Sequence, residues 1–295
     1  MRDDRAKPTL RDGFLLAAGP VAIYAILYAL PILQLFRGSL DHFDPIEGTK
    51  AAIDPAFYVK FLTDSYYLGV LWRTVRISLV ITLISAVAAY PVSYFLVRSA
   101  GWVRQLLLMV ILIPLITSPV VVAYGWLVLL GSKGVVNGAL MALGIADAPT
   151  KLIYTEFTLT IGLVHVLSPF MVLSVAAALQ NVDWNLVLAA RSLGASAATA
   201  FWRIVLPLSA PGIGTGALIV FSLSMSAYAV PALIAGPQVK VMSELIYEQG
   251  MALLNWPFAA CMAVLLLAVT TGLTLASGAA GRTRIARAPA MEPGS

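Results

Sequence analysis

Few side chains in this sequence could do acid–base, nucleophilic or metal-ligating chemistry. The chain has 2 histidines, His42 and His165, and 1 cysteine, Cys261. His165 and Cys261 each stand alone in an apolar stretch and His42 in a polar one, so no catalytic constellation forms. A single cysteine closes neither an intrachain disulfide nor a Cys-based metal site. Nothing resembles GxxxxGK[ST], so the chain carries no phosphate-cradling loop and is not expected to hydrolyse ATP alone. No metal or cofactor is expected on it. What remains is a set of weakly polar groups at helical spacing. Thr158, His165 and Ser168 share roughly one face, with Gly162 between them and Pro169 as a kink. Thr215, Ser222 and Ser226 follow at steps of seven and four, and Thr117 and Tyr124 lie seven apart, flanked by Pro114 and Pro119. Such stripes can line a path for a polar solute. Equally, Ser and Thr bond their own helix or glue neighbouring helices, and a lone membrane histidine packs with a satisfied hydrogen bond.

The elements that must hold these groups are set by composition. Of 295 residues 60% are hydrophobic and 11% charged, with a mean hydropathy of +0.90, whereas soluble domains carry roughly a quarter charged residues. The chain is an integral membrane protein, all-α, and reads as one membrane domain, 1–295. Its net charge of +5 fits basic residues held at the cytoplasmic face better than nucleic-acid binding.

Apolar windows long enough to cross a hydrocarbon core of about 30 Å mark six spans, 14–36, 77–97, 106–130, 157–179, 212–235 and 258–280. The first is longer than a signal-peptide core, and no small-x-small cleavage site follows it, so it is expected as a retained helix. An even number puts both termini on one side. With that side cytoplasmic, 11 of the 19 basic residues fall inside: Arg2, Arg5, Lys7, Arg11, Arg98, Arg104, Arg191, Arg203, Arg282, Arg284 and Arg287. The first outer loop holds PAFYVKFLTDSYYLGVLWRTV (55–75), which suits either a short interfacial helix or a solvated loop. A short polar tail follows Gly281.

Between spans four and five, 181–210 reads as a cytoplasmic helix–turn–helix. Asp183 can cap a first helix through Leu193, Gly194 supplies a positive-φ stop, and Ser196 can cap a second helix to about Val205, which Pro207 and Pro211 then end. Ala189, Ala190, Leu193 and Ala195 form a narrow surface at the turn, with Phe201, Ile204 and Leu206 facing the membrane domain. By composition it is either an interfacial hairpin without a partner or a docking element.

The residue order of this stretch resembles the coupling motif of permease subunits in binding-protein-dependent ABC importers of the type I fold. Their pattern is Glu-Ala-Ala, three residues, Gly, about nine residues, a branched apolar residue, one residue, then Leu-Pro. Ala189, Ala190, Gly194, Ile204, Leu206 and Pro207 stand at matching positions, and Ala195, Ser196, Phe201, Pro211 and Gly212 fit the usual elaboration. Leu188 stands where the family has Glu. The resemblance implies that this hairpin, with Arg191 inside it, docks on an ATPase subunit, where Leu188 replaces a polar contact with apolar burial. Tyr124–Gly144, Lys151–Leu173 and Ser226–Ala260 look like the spermidine/putrescine branch, whose relatives carry other amines, phosphonates or iron complexes. The implied assembly has a second homologous permease, two ATP-binding subunits that hold ATP and Mg, and an extracytoplasmic binding protein, in a bacterial inner membrane.

On the same resemblance Tyr228 and Pro231 are gate elements. The branch has a Glu where Ala227 stands here, and no acidic side chain lies within any span. A polycation would therefore be recognised mainly by the binding protein, with Glu244 and Glu248 as candidate groups near the outer mouth. Thr117, Tyr124, His165, Ser168, Ser222, Ser226, Tyr228 and Glu244 are the candidate pathway residues. Two other classes compete. A secondary transporter should carry charged, helix-broken ion sites at mid-membrane, and a membrane enzyme should carry a catalytic cluster; the sequence offers neither.

Overall fold

The computed structural model describes residues 10–46 and 48–285, with side chains over 18–46 and 48–278. The terminal basic side chains Arg2, Arg5, Lys7, Arg11, Arg282, Arg284 and Arg287 lie outside them, as does the polar tail beyond Ile285. Among the described residues six helical stretches are long and apolar enough to cross a bilayer, Ala18–Gly38, Ser65–Arg98, Pro119–Ala142, Glu156–Gln180, Ala197–Ser226 and Trp256–Gly278. The chain divides into two compact units, Met1–Thr63 with Ile246–Leu265, and Asp64–Leu245 with Leu266–Ser295.

In the first unit, α1 (Leu10–Gly38) carries Pro20 and Pro31, and its apolar side chains, Leu27 and Leu33 among them, are exposed. That is the arrangement a helix adopts when lipid rather than protein solvates it. A two-stranded antiparallel hairpin follows, β1 (His42–Asp44) with β2 (Gly48–Lys50), register His42 opposite Lys50. The sequence showed no alternation that would have announced it. Asp54 accepts from the Ala56 amide at 2.9 Å to start α2 (Ala56–Thr63), and its other oxygen pairs with His42 Nδ1 at 2.9 Å. The His42 bond, then the Ala56 amide, hold the Asp54 carboxyl below the usual carboxylate range. Phe57 of α2 stacks on Phe258 with ring centres 5.1 Å apart.

The second unit is built on α3 (Ser65–Arg98), capped by Asp64, which accepts from the Tyr66 amide at 2.8 Å. Its 34 residues extend about 51 Å, well beyond a bilayer core. The 55–75 stretch is therefore neither a single interfacial helix nor a loop. Its first part is α2, and from Ser65 it is already the helix of span two, because Val70, Ile77 and Ile81 keep one apolar face buried from the start.

Span three is corrected. Residues 106–130 do not form one helix but the end of α4 (Gly101–Ile116) and α5 (Pro119–Leu130). Proline pushes its predecessor out of the helical region, and Ser118 accordingly sits at φ −57°, ψ 132° and caps α5 through the Val120 amide. Beyond α6 (Val135–Ala142), the buried Asn137 amide donates to the carbonyls of Leu130, Gly131 and Thr150 and accepts from the Thr150 amide at 2.9 Å, which pins the loop.

The central helix is α7 (Glu156–Gln180), whose Leu159, Leu163, Met171, Val175 and Leu179 are buried. It runs parallel to α3: Arg76 grips the Glu156 carboxylate at 2.5 and 2.6 Å at one end, and Ser93 donates to the Val172 carbonyl at 2.9 Å further along. Three short pieces follow, α8 (Trp184–Ser192), α9 (Ala197–Ala200) and a π turn (Phe201–Val205), and then α10 (Leu206–Ser226).

Here too the sequence reading is corrected, because Pro207 and Pro211 do not end the hairpin's second helix. It continues unbroken into span five. In the wide π turn Leu206 donates to the Phe201 carbonyl five residues back, and this looser turn accommodates a proline that an α-helix would resist. Span five ends at Ser226 rather than 235, since Ala227 is extended and α11 (Ala229–Ile234) is a separate turn. After α12 (Met242–Tyr247), α13 (Trp256–Ile285) is the last helix among the described residues. The segment before α12 is tied to α3, where Arg73 donates to the Gln238 carbonyl at 3.2 Å and Thr74 accepts from the Met242 amide at 3.0 Å.

Candidate functional site

The 181–210 hairpin owes its shape to three local devices. Asp183 accepts from the Asn185 amide at 2.9 Å and starts α8. At its end the Ala195 amide bonds the Ala190 carbonyl and the Gly194 amide the Arg191 carbonyl, both at 3.0 Å, which is the Schellman closure. It requires a left-handed residue, and Gly194 has φ +88°. Ser196 then accepts from the Thr199 amide at 3.1 Å and starts α9.

Aromatic packing fixes the hairpin to the C-terminal end of α3. The Phe201 ring stands edge-on to Tyr90 and Tyr94, at 5.5 and 6.2 Å. Trp184 meets Tyr94, and the Arg98 guanidinium lies 5.1 Å over the Trp184 ring. Val205, which the sequence did not single out, is the fully buried anchor, while Ile204 and Leu206 are half-buried. The turn faces outward: Leu188 is 60% and Leu193 89% exposed, Ala189, Arg191, Gly194, Ser196 and Pro207 are exposed, and Ala190 and Ala195 are half-buried.

The pathway candidates are less united. Thr117 ends α4 and donates to the Ile113 carbonyl at 2.8 Å, and the break at 117–118 takes it off the helix of Tyr124. The seven-residue stripe in span three therefore does not exist. Thr158 is fully buried and bonds the Leu152 carbonyl, so it is not on the exposed side with His165. Ser168 donates back to the His165 carbonyl, Ser226 to the Ser222 carbonyl and Thr215 to the Pro211 carbonyl, the self-helix bonding that makes hydroxyls tolerable in a span. Thr215 lines an apolar cavity of about 770 Å³ between α3, α10 and the end of α13, with Val75, Thr82, Phe221 and Ser277. Tyr228 stands at the α10–α11 break, with Pro231 buried behind it, and Glu244 is half-buried in the first turn of α12.

Two groups of residues escaped the sequence reading. Besides Ser93 and Thr74, the buried hydroxyls that join helices include Ser78 with Ser224, 3.0 Å, and Tyr90 with Ser209, 2.8 Å. The partner of His165 is Trp126, whose indole Nε1 donates to His165 Nδ1 at 3.2 Å with the rings edge-on. Its only sequence signal was an aromatic two residues after Tyr124.

Residues 77–284 match the family described as the binding-protein-dependent transport system inner membrane component. The chain belongs to this family. It is 34% identical over 246 residues, 83% of this chain and 89% of that protein, to the spermidine/putrescine transport system permease protein PotB of Escherichia coli K12. To the protein of that name from Haemophilus influenzae it is 35% identical over 214 residues, 72% of each chain. It shares the fold of a chain in the crystal structure of a bacterial alginate ABC transporter in complex with an alginate pentasaccharide-bound periplasmic protein, with a TM-score of 0.78 at 19% identity over 95% of this chain and 97% of that one. The protein is thus a multi-pass inner-membrane permease subunit of an ABC importer, and a binding protein is among the partners of its system.

Proposed function

We propose that this permease imports a polyamine or another small organic amine, received from an extracytoplasmic binding protein, and forms half of the pathway with a second homologous permease. Two ATP-binding subunits supply the bound ATP and Mg, so the chain itself is non-catalytic. The observation that carries the substrate reading is identity of 34% and 35% to spermidine/putrescine permeases over most of the chain. Its test is ATP-driven uptake by the complex reconstituted in liposomes with its binding protein. Spermidine should accumulate and putrescine compete. Uptake of a different solute, with neither amine carried, overturns the reading.

Both termini lie in the cytoplasm on this proposal, and the 181–210 hairpin couples the permease to ATP hydrolysis. Its exposed turn held on a rigid aromatic base supports that role, since a docking element must be accessible and stiff. Cysteines placed at Ser196 and at Asp147, both exposed, in a Cys261→Ala background should label from opposite faces, Ser196 from the cytoplasm. Labelling of both from outside removes the topology.

Leu188 tests the docking chemistry. With 60% of it exposed in the single chain, it has apolar area to bury. Leu188→Ala should weaken ATPase retention by roughly 1.5–3 kcal/mol, less where burial is partial. Leu188→Glu should cost more, because a carboxylate without a partner is expensive to bury. The measurement is ATPase retention through detergent purification. Unchanged retention in both variants makes Leu188 a solvated bystander.

A further inference from the structure

Indole Nε1–H can only donate. Where it donates to His165 Nδ1, at 3.2 Å, that nitrogen must hold a lone pair, and the neutral ring carries its proton on Nε2. We propose that Trp126 is a positioning residue that holds His165 as the Nε2–H tautomer, so that the ring offers the exposed face of α7 one N–H donor and no basic nitrogen. This rests on the reading that His165 lines the solute path.

The α3–α7 register set by Arg76 with Glu156 and Ser93 with Val172 places His165 level with about residue 85 of α3. On that helix the nearest titratable side chains are Arg76 above and Tyr90 below. Tyr90 is engaged by Ser209, and Glu156, the acid at the head of α7, is engaged by Arg76. Helices α10 and α11 carry no titratable side chain, α4 carries Arg104, and α5 carries Tyr124, two residues from Trp126. No carboxylate lies on α3, α4, α5, α10 or α11 to draw the proton to the other nitrogen.

The consequence is chemical. An ammonium has donors only, so it cannot bond Nε2–H, and the one other ring nitrogen is occupied. His165 therefore does not capture an amine cargo through a lone pair. Its donor holds a water oxygen, whose remaining lone pair can accept from a passing ammonium, and it is this water-mediated bond that uptake reads. The amide nitrogen of glutamine can stand in for Nε2–H, whereas the shorter asparagine cannot reach that position.

Two measurements test this. The first needs no substrate: with His42→Gln the chain has one histidine, and 15N-histidine labelling in liposomes at pH 8, above the ordinary imidazole range, reports the tautomer. The ring should be a single Nε2–H species whose Nδ1 signal shifts when Trp126 becomes Phe. A proton on Nδ1, or an Nδ1 signal indifferent to Trp126→Phe, overturns the proposal.

The second is uptake. Trp126→Phe and His165→Asn should each lower spermidine uptake by about two- to tenfold, the span of one neutral hydrogen bond, and His165→Gln should retain it. Trp126→Phe added to His165→Gln should have no further effect. A loss there as large as in the wild-type background means that Trp126 acts by packing alone, which also overturns the proposal. Should the wild-type complex take up no spermidine, the substrate reading fails and the labelling measurement still decides the tautomer.

Discussion

Gly194→Val should uncouple transport from ATP hydrolysis while leaving the permease inserted, and Gly194→Asn should retain most of the coupling. A Cβ at this position meets nothing within 4 Å, so any effect comes from the backbone rather than from crowding. At φ +88° a β-branched residue is an outlier, whereas asparagine visits the left-handed region more readily than other side chains. The strain is about 1–3 kcal/mol, enough to depopulate the Schellman turn roughly 5- to 150-fold. When that turn opens, the bonds from Ala195 to Ala190 and from Gly194 to Arg191 are lost, and the exposed Leu188 and Leu193 no longer hold fixed positions. The comparison to make is ATP hydrolysed per solute imported. Equal ratios in wild type and Gly194→Val would remove the turn from the coupling mechanism.

Gly212→Val should prevent α7 and α10 from packing and sharply lower the yield of folded permease. A Cβ there would collide with Ala178 Cβ and lie 2.7 Å from the Ser174 carbonyl oxygen. Neither can retreat, because one is a methyl fixed to its helix and the other is backbone. Gly216, one turn on, faces Met171 Sδ at 2.6 Å, with Ser174 Cβ at 3.1 Å and Met171 Cα at 3.3 Å; the thioether can turn aside and the other two need give only a few tenths of an ångström, so Gly216→Ala should be destabilising but milder. Gly214 between them meets nothing within 4 Å, and Gly214→Ala should be neutral or slightly stabilising through helix propensity. Forcing atoms into a packed contact costs typically 1–3 kcal/mol for a small overlap and more for a rigid one. The thermal midpoint of the detergent-purified chain should fall in the order Gly214→Ala, Gly216→Ala, Gly212→Ala, with Gly212→Val not recovered as a monodisperse species. Wild-type stability in Gly212→Val would mean that the two helices do not meet through this glycine. The spacing is the small-xxx-small pattern that lets membrane helices approach backbone to backbone.

How far the sequence carries depends on the range of the force involved. Six spans were legible because crossing a bilayer needs only an unbroken apolar length, which is a property of consecutive residues. The hairpin's caps were legible for the same reason: Asp183, Gly194 and Ser196 each act on backbone groups within five residues of themselves. Errors arose where one local rule met another. Pro119 marks a break, yet the apolar length on either side of it reads as one unbroken span. Pro207 reads as a stop in the sequence, because a π turn leaves no signature in residue type.

What tertiary structure alone decided is which of several equivalent polar side chains matter. Thr158 and His165 share a spacing, but the fold buries one and exposes the other. Ser222 and Ser226 looked like the useful hydroxyls of span five, yet Ser224 is the one that meets Ser78, 146 residues away in the chain. His165 acquires its partner from Trp126, 39 residues earlier on another helix. Periodicity says that a stripe exists. Only the rotation of each helix against its neighbours says which stripe is inside, and that rotation is set by close contacts such as Gly212 on Ala178, which depend on two distant residues at once.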